Sequence, residues 1–303
     1  MDRRHVLHRT FLAGLLVLVT ATGCSGSDRD TTDPTTAEPT SAEVVGAGDH
    51  LLKLSVDGRE RTYRLHAPPG FTAGRPVPVV IGLHFYPANG SALQEMIGLD
   101  ELADQHGFLT VYPDGVNGGY NALTCCGEED DVGFVRALVD RLRSRWAADP
   151  QRLYLTGISN GGDMAFRLAV ELPDTFAAIA PVSGGFIGER TSDANYRPKS
   201  PVSVLTFIGG QDRYAAQFDA GITRWQERLG CQPGRPSTAG QPGPITRTAT
   251  TCPDGSQVVV FRLPRMGHNW PGATQGRLAA PDAGIVATEL MWEFFAGQQR
   301  RSA

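Results

Sequence analysis

Three residues in this chain have types and an order that could do nucleophilic chemistry: a serine at 159, an aspartate at 212 and a histidine at 268. The serine sits in Gly157-Ile158-Ser159-Asn160-Gly161. Glycines two before and two after a serine permit a very tight turn from strand to helix, which lifts the hydroxyl above a sheet. The helix N-terminus beneath it favours negative charge, and the backbone N–H of Asn160 can donate to an oxyanion. The pattern alone is weak in a chain with 36 glycines. Its flanks strengthen it, because Arg152-Leu153-Tyr154-Leu155 reads as strand and Met164-Ala165-Phe166-Arg167-Leu168 as helix.

A serine hydroxyl is a poor nucleophile until a base takes its proton. In strand–serine–helix sites the acid and then the histidine follow the serine along the chain. His268 is the one histidine after Ser159, which makes it the candidate base by elimination. The acid must hold the imidazole tautomer and stabilise its cationic form. Asp163, Glu171, Asp174, Asp193, Asp212 and Asp219 all lie between serine and histidine. Asp212 is preferred because it follows the apolar run 202–208 through Gly209-Gly210-Gln211, at the carboxyl end of an expected strand. Its other reading is a cap on a helix starting near Ala215. Asp163 lies inside the serine's own helix and Asp174 at its end, so both are poorly placed as the acid. A second oxyanion donor should come from His84-Phe85-Tyr86-Pro87, with the Phe85 N–H first and Tyr86 second. His84 is read as bracing that loop. Tyr86 and Trp270 are the candidate substrate contacts.

Strands must carry these residues. Residues 51–56 and 60–66 alternate around Asp57-Gly58 as a hairpin. The run 77–83 is apolar throughout, as in a strand buried on both faces. A helix is expected over 91–106, a strand over 108–112, and a helix capped by Asp131 running to Trp146 with Phe134, Leu138 and Leu142 on one face. Strands at 153–155, 176–180, 202–208 and 258–261 and helices at 160–172 and 283–296 complete the alternation. Such alternation implies a mainly parallel sheet flanked by helices, with ligands at the carboxyl ends of the strands.

The chain has 303 residues, 41% hydrophobic and 20% charged, with a formal net charge of -4. That composition is globular, and the charge argues against nucleic acid as a partner. The N-terminus reads as an export signal over residues 1–23: Arg3-Arg4, an apolar run too short to span a bilayer, then small residues before Cys24. The end of that run resembles a bacterial lipoprotein processing site, with Ala21 where leucine is usual, and Arg3-Arg4-His5-Val6-Leu7 resembles a twin-arginine signal. Cys24 is the expected lipid attachment, followed by a Ser-, Thr- and Pro-rich tether over 24–47. The catalytic domain is expected over 48–298, with a short tail over 299–303. The protein is therefore read as exported and held to a membrane by a lipid anchor.

Four further cysteines remain. Cys231 and Cys252 flank a Pro- and Gly-rich segment and are paired as a disulfide, which an exported context permits. Adjacent Cys125 and Cys126 are either bonded to each other or both free. No Cys-x-x-Cys or His-Glu-x-x-His spacing occurs, so neither a metal site nor a cofactor is expected.

Several blocks together carry a family resemblance: Val80–His84, Val111-Tyr112-Pro113-Asp114-Gly115, Cys125-Cys126, Asp130–Phe134, Gly157–Gly162, Gly210-Gln211-Asp212 and Gly267-His268-Asn269-Trp270-Pro271-Gly272. The chain resembles the poly(3-hydroxybutyrate) depolymerase-like esterases, relatives of the feruloyl and acetylxylan esterases of carbohydrate esterase family 1. The resemblance implies an α/β-hydrolase fold and carboxylic ester hydrolysis, with Ser159, Asp212 and His268 as nucleophile, acid and base. Phe85 departs from the glycine usual after the strand-end histidine. The segment between the strands ending at Ala180 and starting at Val202 is too short for a large lid. Short acyl or aryl esters, or hydroxyalkanoate oligomers, are the expected substrates rather than solid polymer.

Overall fold

The computed structural model describes residues 44–239 and 245–300. The expected signal segment, Cys24 and the tail from residue 301 lie outside the described residues. The hairpin forms from β1 (Gly48–Val56) and β2 (Arg59–Ala67). The parallel strands are β3 (Val77–Leu83), β4 (Leu109–Pro113), β5 (Ala148–Ile158), β6 (Ala178–Val182), β7 (Ser203–Gly209) and β10 (Gln257–Leu263). With β8 (Pro236–Thr238) and β9 (Thr246–Thr251) they make one sheet in the order β1-β2-β4-β3-β5-β6-β7-β10-β9-β8. Only the two margins pair antiparallel.

Every residue of β3, β4, β6 and β7 is buried, as continuous apolar strands require when helices cover both faces. Successive residues of β3 feed opposite cores. Val79, Ile81 and Leu83 join one with Leu138, Phe166 and Trp225, while Val80 joins the other with Met96, Tyr112 and Phe295. The helices are α1 (Gly90–Ile97), α2 (Leu99–His106), α3 (Asp131–Arg145), α4 (Asn160–Glu171), α5 (Ala215–Leu229) and α6 (Ala287–Ala296). Between β6 and β7 the chain makes a short helical turn at Glu189–Ser192 and no lid domain.

The structure corrects three expectations. The helix expected over 91–106 is divided at Gly98, which takes φ 63° and ends α1 in the left-handed conformation glycine tolerates. The cap of α3 is Asp130, whose side chain accepts the Gly133 N–H at 2.9 Å. The Cys231–Cys252 segment is not merely a loop: it holds β8 and β9, and β9 is a threonine-rich strand pairing antiparallel with β10. Cys231 and Cys252 are bonded, and so are Cys125 and Cys126.

Asp131 serves a different end from capping. It is buried and takes the Arg61 guanidinium at 2.6 Å, the two side chains being 1% and 5% exposed. Arg61 also lies over the Phe134 ring and donates to the Asp114 carbonyl at 3.1 Å. The other Asp131 oxygen accepts the Asn121 N–H at 2.7 Å. The pair thus ties β2, α3 and the 114–121 loop together. Removing one partner strands a buried charge, whereas replacing both with apolar side chains is far less harmful. Arg61→Met should therefore cost about 3 kcal/mol of unfolding free energy, and Arg61→Met with Asp131→Leu should recover most of it. Urea denaturation of the three proteins checks this; equal losses in the single and double variants would overturn it.

Candidate active site

The tight turn at the end of β5 exists because of how closely it packs. A Cβ on Gly161 would lie 2.0 Å from the Leu83 carbonyl oxygen, and one on Gly157 would lie 2.7 Å from the same oxygen. The turn is thus pressed against the end of β3, which continues into His84 and Phe85. Ser159, between the two glycines, has φ 58° and ψ -121° and starts α4. A non-glycine residue in that region is strained and persists only when its surroundings hold it. Here the Ser159 N–H donates to the Val182 carbonyl at 3.1 Å, and its carbonyl accepts the Asp163 N–H at 2.9 Å. Asn160 begins the helix, so its N–H has no partner within α4.

The loop after β10 brings His268 to the same edge of the sheet. Ser183, just past β6, donates its hydroxyl to the Asn269 carbonyl at 3.2 Å. His268 Nδ1 lies 2.7 Å from Asp212 Oδ2 across a separation of 56 residues, with the aspartate side chain fully buried. Asp212 Oδ1 accepts the Tyr214 N–H at 2.9 Å, which fixes the carboxylate plane. Asp212 meets the histidine and accepts the Tyr214 N–H just before α5, but it does not cap that helix: Tyr214 is the N-cap residue and no side chain caps it. The loops after β7 and β10 are stitched by Gly210 N–H to Leu263 O at 2.8 Å and Gln211 N–H to Met266 O at 2.9 Å. The Tyr214 and Phe218 rings lie 5.8 and 6.4 Å from the His268 ring.

His84 braces the loop after β3. Its Nε2 accepts the Gly115 N–H at 2.9 Å, so Nδ1 carries the proton and donates to Phe85 O at 2.8 Å. Burial pushes its pKa down, which suits the neutral imidazole those bonds need. Phe85 is buried beneath the Arg277 guanidinium, and Tyr86 is 49% exposed at the rim. The expectation that Trp270 touches substrate is corrected. It is fully buried, its indole N–H donates to Thr288 Oγ1 at 3.1 Å, and that hydroxyl donates to Ile97 O. Trp270 supports the histidine loop from within, where β11 (Trp270–Pro271) pairs with β12 (Ala279–Ala280).

One face of α4 does work that the sequence reading missed. Asn160, Asp163 and Arg167 sit at i, i+3 and i+7, and all three hold the 120–125 loop. The Asn160 amide accepts the Tyr120 N–H at 2.8 Å and donates to Tyr120 O and Cys125 O, both at 3.0 Å. Arg167 donates to Asn121 O. Asp163 accepts the Thr124 hydroxyl at 2.6 Å and the Gly185 N–H at 2.8 Å. The exposed Cys125 and half-buried Cys126 thus lie on a loop clamped to the serine turn. The available signal was the spacing of three polar residues on one face of a helix whose other face is apolar.

Among the described residues, one group of possible metal ligands comprises Asp49, His66 and Asp100. It lies on the hairpin side of the sheet. Both His66 ring nitrogens already face carboxylates, Asp49 at 2.7 Å and Asp104 at 2.9 Å. Burial opposes the charge, yet the bonds to Asp104 and Asp49 and the nearby Asp100 raise its pKa. That arrangement fits a protonated histidine.

Asp163 makes the site's stability depend on pH. Burial drives its pKa up from 3.8 to about 6, against the lowering effect of the Thr124 and Gly185 hydrogen bonds. The folded protein therefore favours the protonated carboxyl. The associated stability is full below the unfolded value of 3.8 and is lost as pH rises through about 6. At ~1.4 kcal/mol per unit, the loss is about 3 kcal/mol. Asp163→Asn, which keeps an acceptor for Gly185, should gain that amount over wild type between pH 4 and 7.5. Denaturation curves at both pH values test it; a wild-type-to-variant difference that does not change with pH would overturn it.

Comparison with known proteins extends this geometry. The family model described as Esterase PHB depolymerase matches residues 61–197, which include Ser159. "Putative esterase NocK" of Nocardia uniformis subsp. tsuyamanensis is 32% identical over 89% of this chain and 91% of its own length. Feruloyl esterase C of Emericella nidulans is 29% identical over 79% of this chain and 84% of its own. Among solved structures, the acetyl xylan esterase from Aspergillus awamori superposes with a TM-score of 0.62 at 16% identity, over 82% of this chain and 99% of that one, a likeness of fold. The chain is a serine esterase of the α/β-hydrolase fold and belongs to the Esterase PHB depolymerase family.

Proposed function

We propose that Ser159 attacks the ester carbonyl, with His268 as its base and Asp212 orienting that base. The observation that carries this reading is the 2.7 Å contact between His268 Nδ1 and the buried Asp212 carboxylate, taken with a serine held at positive φ at the start of α4. A proton on Nδ1, donated to Asp212, leaves Nε2 to take the serine proton. The bond from Ser159 Oγ to the acyl carbon forms, and the carbonyl π pair moves onto oxygen. The Phe85 and Asn160 backbone N–H groups are the donors for that oxyanion. Collapse of the intermediate expels the alcohol, which takes the proton from His268. Water then repeats the sequence on the acyl-enzyme to release the acid. Short acyl or aryl esters and hydroxyalkanoate oligomers are the substrates, with Tyr86 at the rim as a contact.

Ser159→Ala should lower kcat for a short aryl ester by several orders of magnitude while leaving the unfolding midpoint close to wild type. A variant that kept a tenth of the wild-type kcat would remove Ser159 from this role.

The second part of the reading is location. The basic start, the short apolar run and the small residues before Cys24 support export and acylation at that cysteine. A single acyl chain anchors weakly, so stable attachment there takes a second signal. Cys24→Ala should move the protein from the membrane fraction to the medium in an expressing bacterium. A variant that stays with the membrane would end the lipid-anchor reading.

A further inference from the structure

We propose that the alcohol side of the cleft is built to receive a carboxylate, bound by Arg213. The inference rests on the assignment of His268 as the base. His268 must hand its proton to the departing alcohol oxygen, so the alcohol portion of the substrate lies on the histidine side of Ser159. The surface it meets there is the start of α5. Tyr214 presents its ring to the His268 ring at 5.8 Å, and the Arg213 guanidinium lies over the Tyr214 ring, 4.7 Å from its centroid.

Arg213 is exposed, and among the described residues no carboxylate pairs with it. The nearest acid in sequence cannot serve. Asp212 is buried, with one oxygen committed to His268 and the other to the Tyr214 N–H. Asp163 is buried, with one oxygen committed to the Thr124 hydroxyl and the other to the Gly185 N–H. The cation is thus positioned by an aromatic face rather than neutralised by an acid. A guanidinium so stacked keeps its N–H edges for a planar, bidentate partner, which is the geometry of a carboxylate. The N-terminal end of the 15-residue α5 adds positive potential at the same place.

A second cation stands on the opposite wall. Arg277 is exposed, lies 4.9 Å from the Phe85 ring centroid and likewise has no carboxylate partner among the described residues. Phe85 follows β3 and Arg213 follows β7, three strand positions apart in the sheet and so about 14 Å across. The serine turn at the end of β5 lies between them. A cleft flanked in this way by two cations without carboxylate partners among the described residues, Arg277 donating only to the Pro87 carbonyl, selects anionic esters over neutral ones of the same shape. Arg213 has the larger effect on acids carried by the alcohol portion, because it stands on that side.

The test uses two aryl acetates that differ only in charge, 4-acetoxybenzoate and 4-acetoxybenzamide, at pH 7.5 and low salt. Wild type should prefer the carboxylate about fivefold in kcat/KM, mostly through KM, and 0.5 M NaCl should shrink the preference. Arg213→Gln should bring the ratio of the two esters close to one. Arg213→Lys should keep most of it, and Arg277→Gln should reduce it only partly. Wild type that hydrolyses both esters without preference, or Arg213→Gln that keeps the full preference, would overturn the anion site while leaving the esterase chemistry intact. Wild type that turns over neither ester would instead overturn the aryl-ester reading of the cleft, and the anion site with it.

Discussion

The contact between the serine turn and the end of β3 governs the rest of this architecture. A Cβ at Gly161 would stand 2.0 Å from the Leu83 carbonyl oxygen, so no other residue type fits there without moving β3. That proximity puts the backbone after β3, with the Phe85 N–H, beside the backbone that starts α4, with the Asn160 N–H. The two donors proposed for the oxyanion come from these segments, 75 residues apart in sequence. It also forces Ser159 to φ 58°, an unfavourable conformation that the bonds to Val182 and Asp163 must hold. The strain is local, and the buried strands on either side are what confine it.

Charge is arranged around this turn by depth. The buried carboxylates each have assigned partners: Asp131 takes Arg61 and Asn121, Asp163 takes Thr124 and Gly185, and Asp212 takes His268 and Tyr214. Each joins segments that are distant in sequence, and an unpaired acid at such depth would be costly. The cations at the rim, Arg213 and Arg277, rest on rings instead. Buried carboxylates therefore tie distant segments together, whereas under the proposed anion site the exposed cations are left to face the substrate.

Much of this was legible in the sequence. Apolar runs such as 77–83 and 202–208 announce strands buried on both faces, because only a covered parallel sheet tolerates them. The serine, acid and histidine could be ordered because one histidine follows Ser159 and one aspartate follows a strand closely. What was not legible depends on three-dimensional packing. Trp270 reads as a cleft aromatic by its place beside His268, but its ring turns inward to Thr288. Asp163 was set aside as an acid for the histidine, and its bonds to Thr124 and Gly185 involve loops that periodicity does not position. The 231–252 segment reads as a loop because it is poor in apolar residues, yet its threonines form β9 at the margin of the sheet, with Ile245 and Thr250 buried.

That margin has a consequence for the base. β10 is the last parallel strand, and its carboxyl end releases the loop that carries His268. A bare edge there would fray, since an outer strand has one row of backbone groups unpaired. β9 supplies the missing partner over Gln257–Arg262, and the Cys231–Cys252 bond closes the segment that holds it. On its far side the histidine loop is held by Trp270, by the β11–β12 pairing and by the Ser183 hydroxyl on Asn269. The serine is placed by strands at the centre of the sheet, whereas the histidine comes from a loop near its edge. Their alignment therefore depends on the stability of that edge, to which the β9 pairing and the Cys231–Cys252 bond contribute.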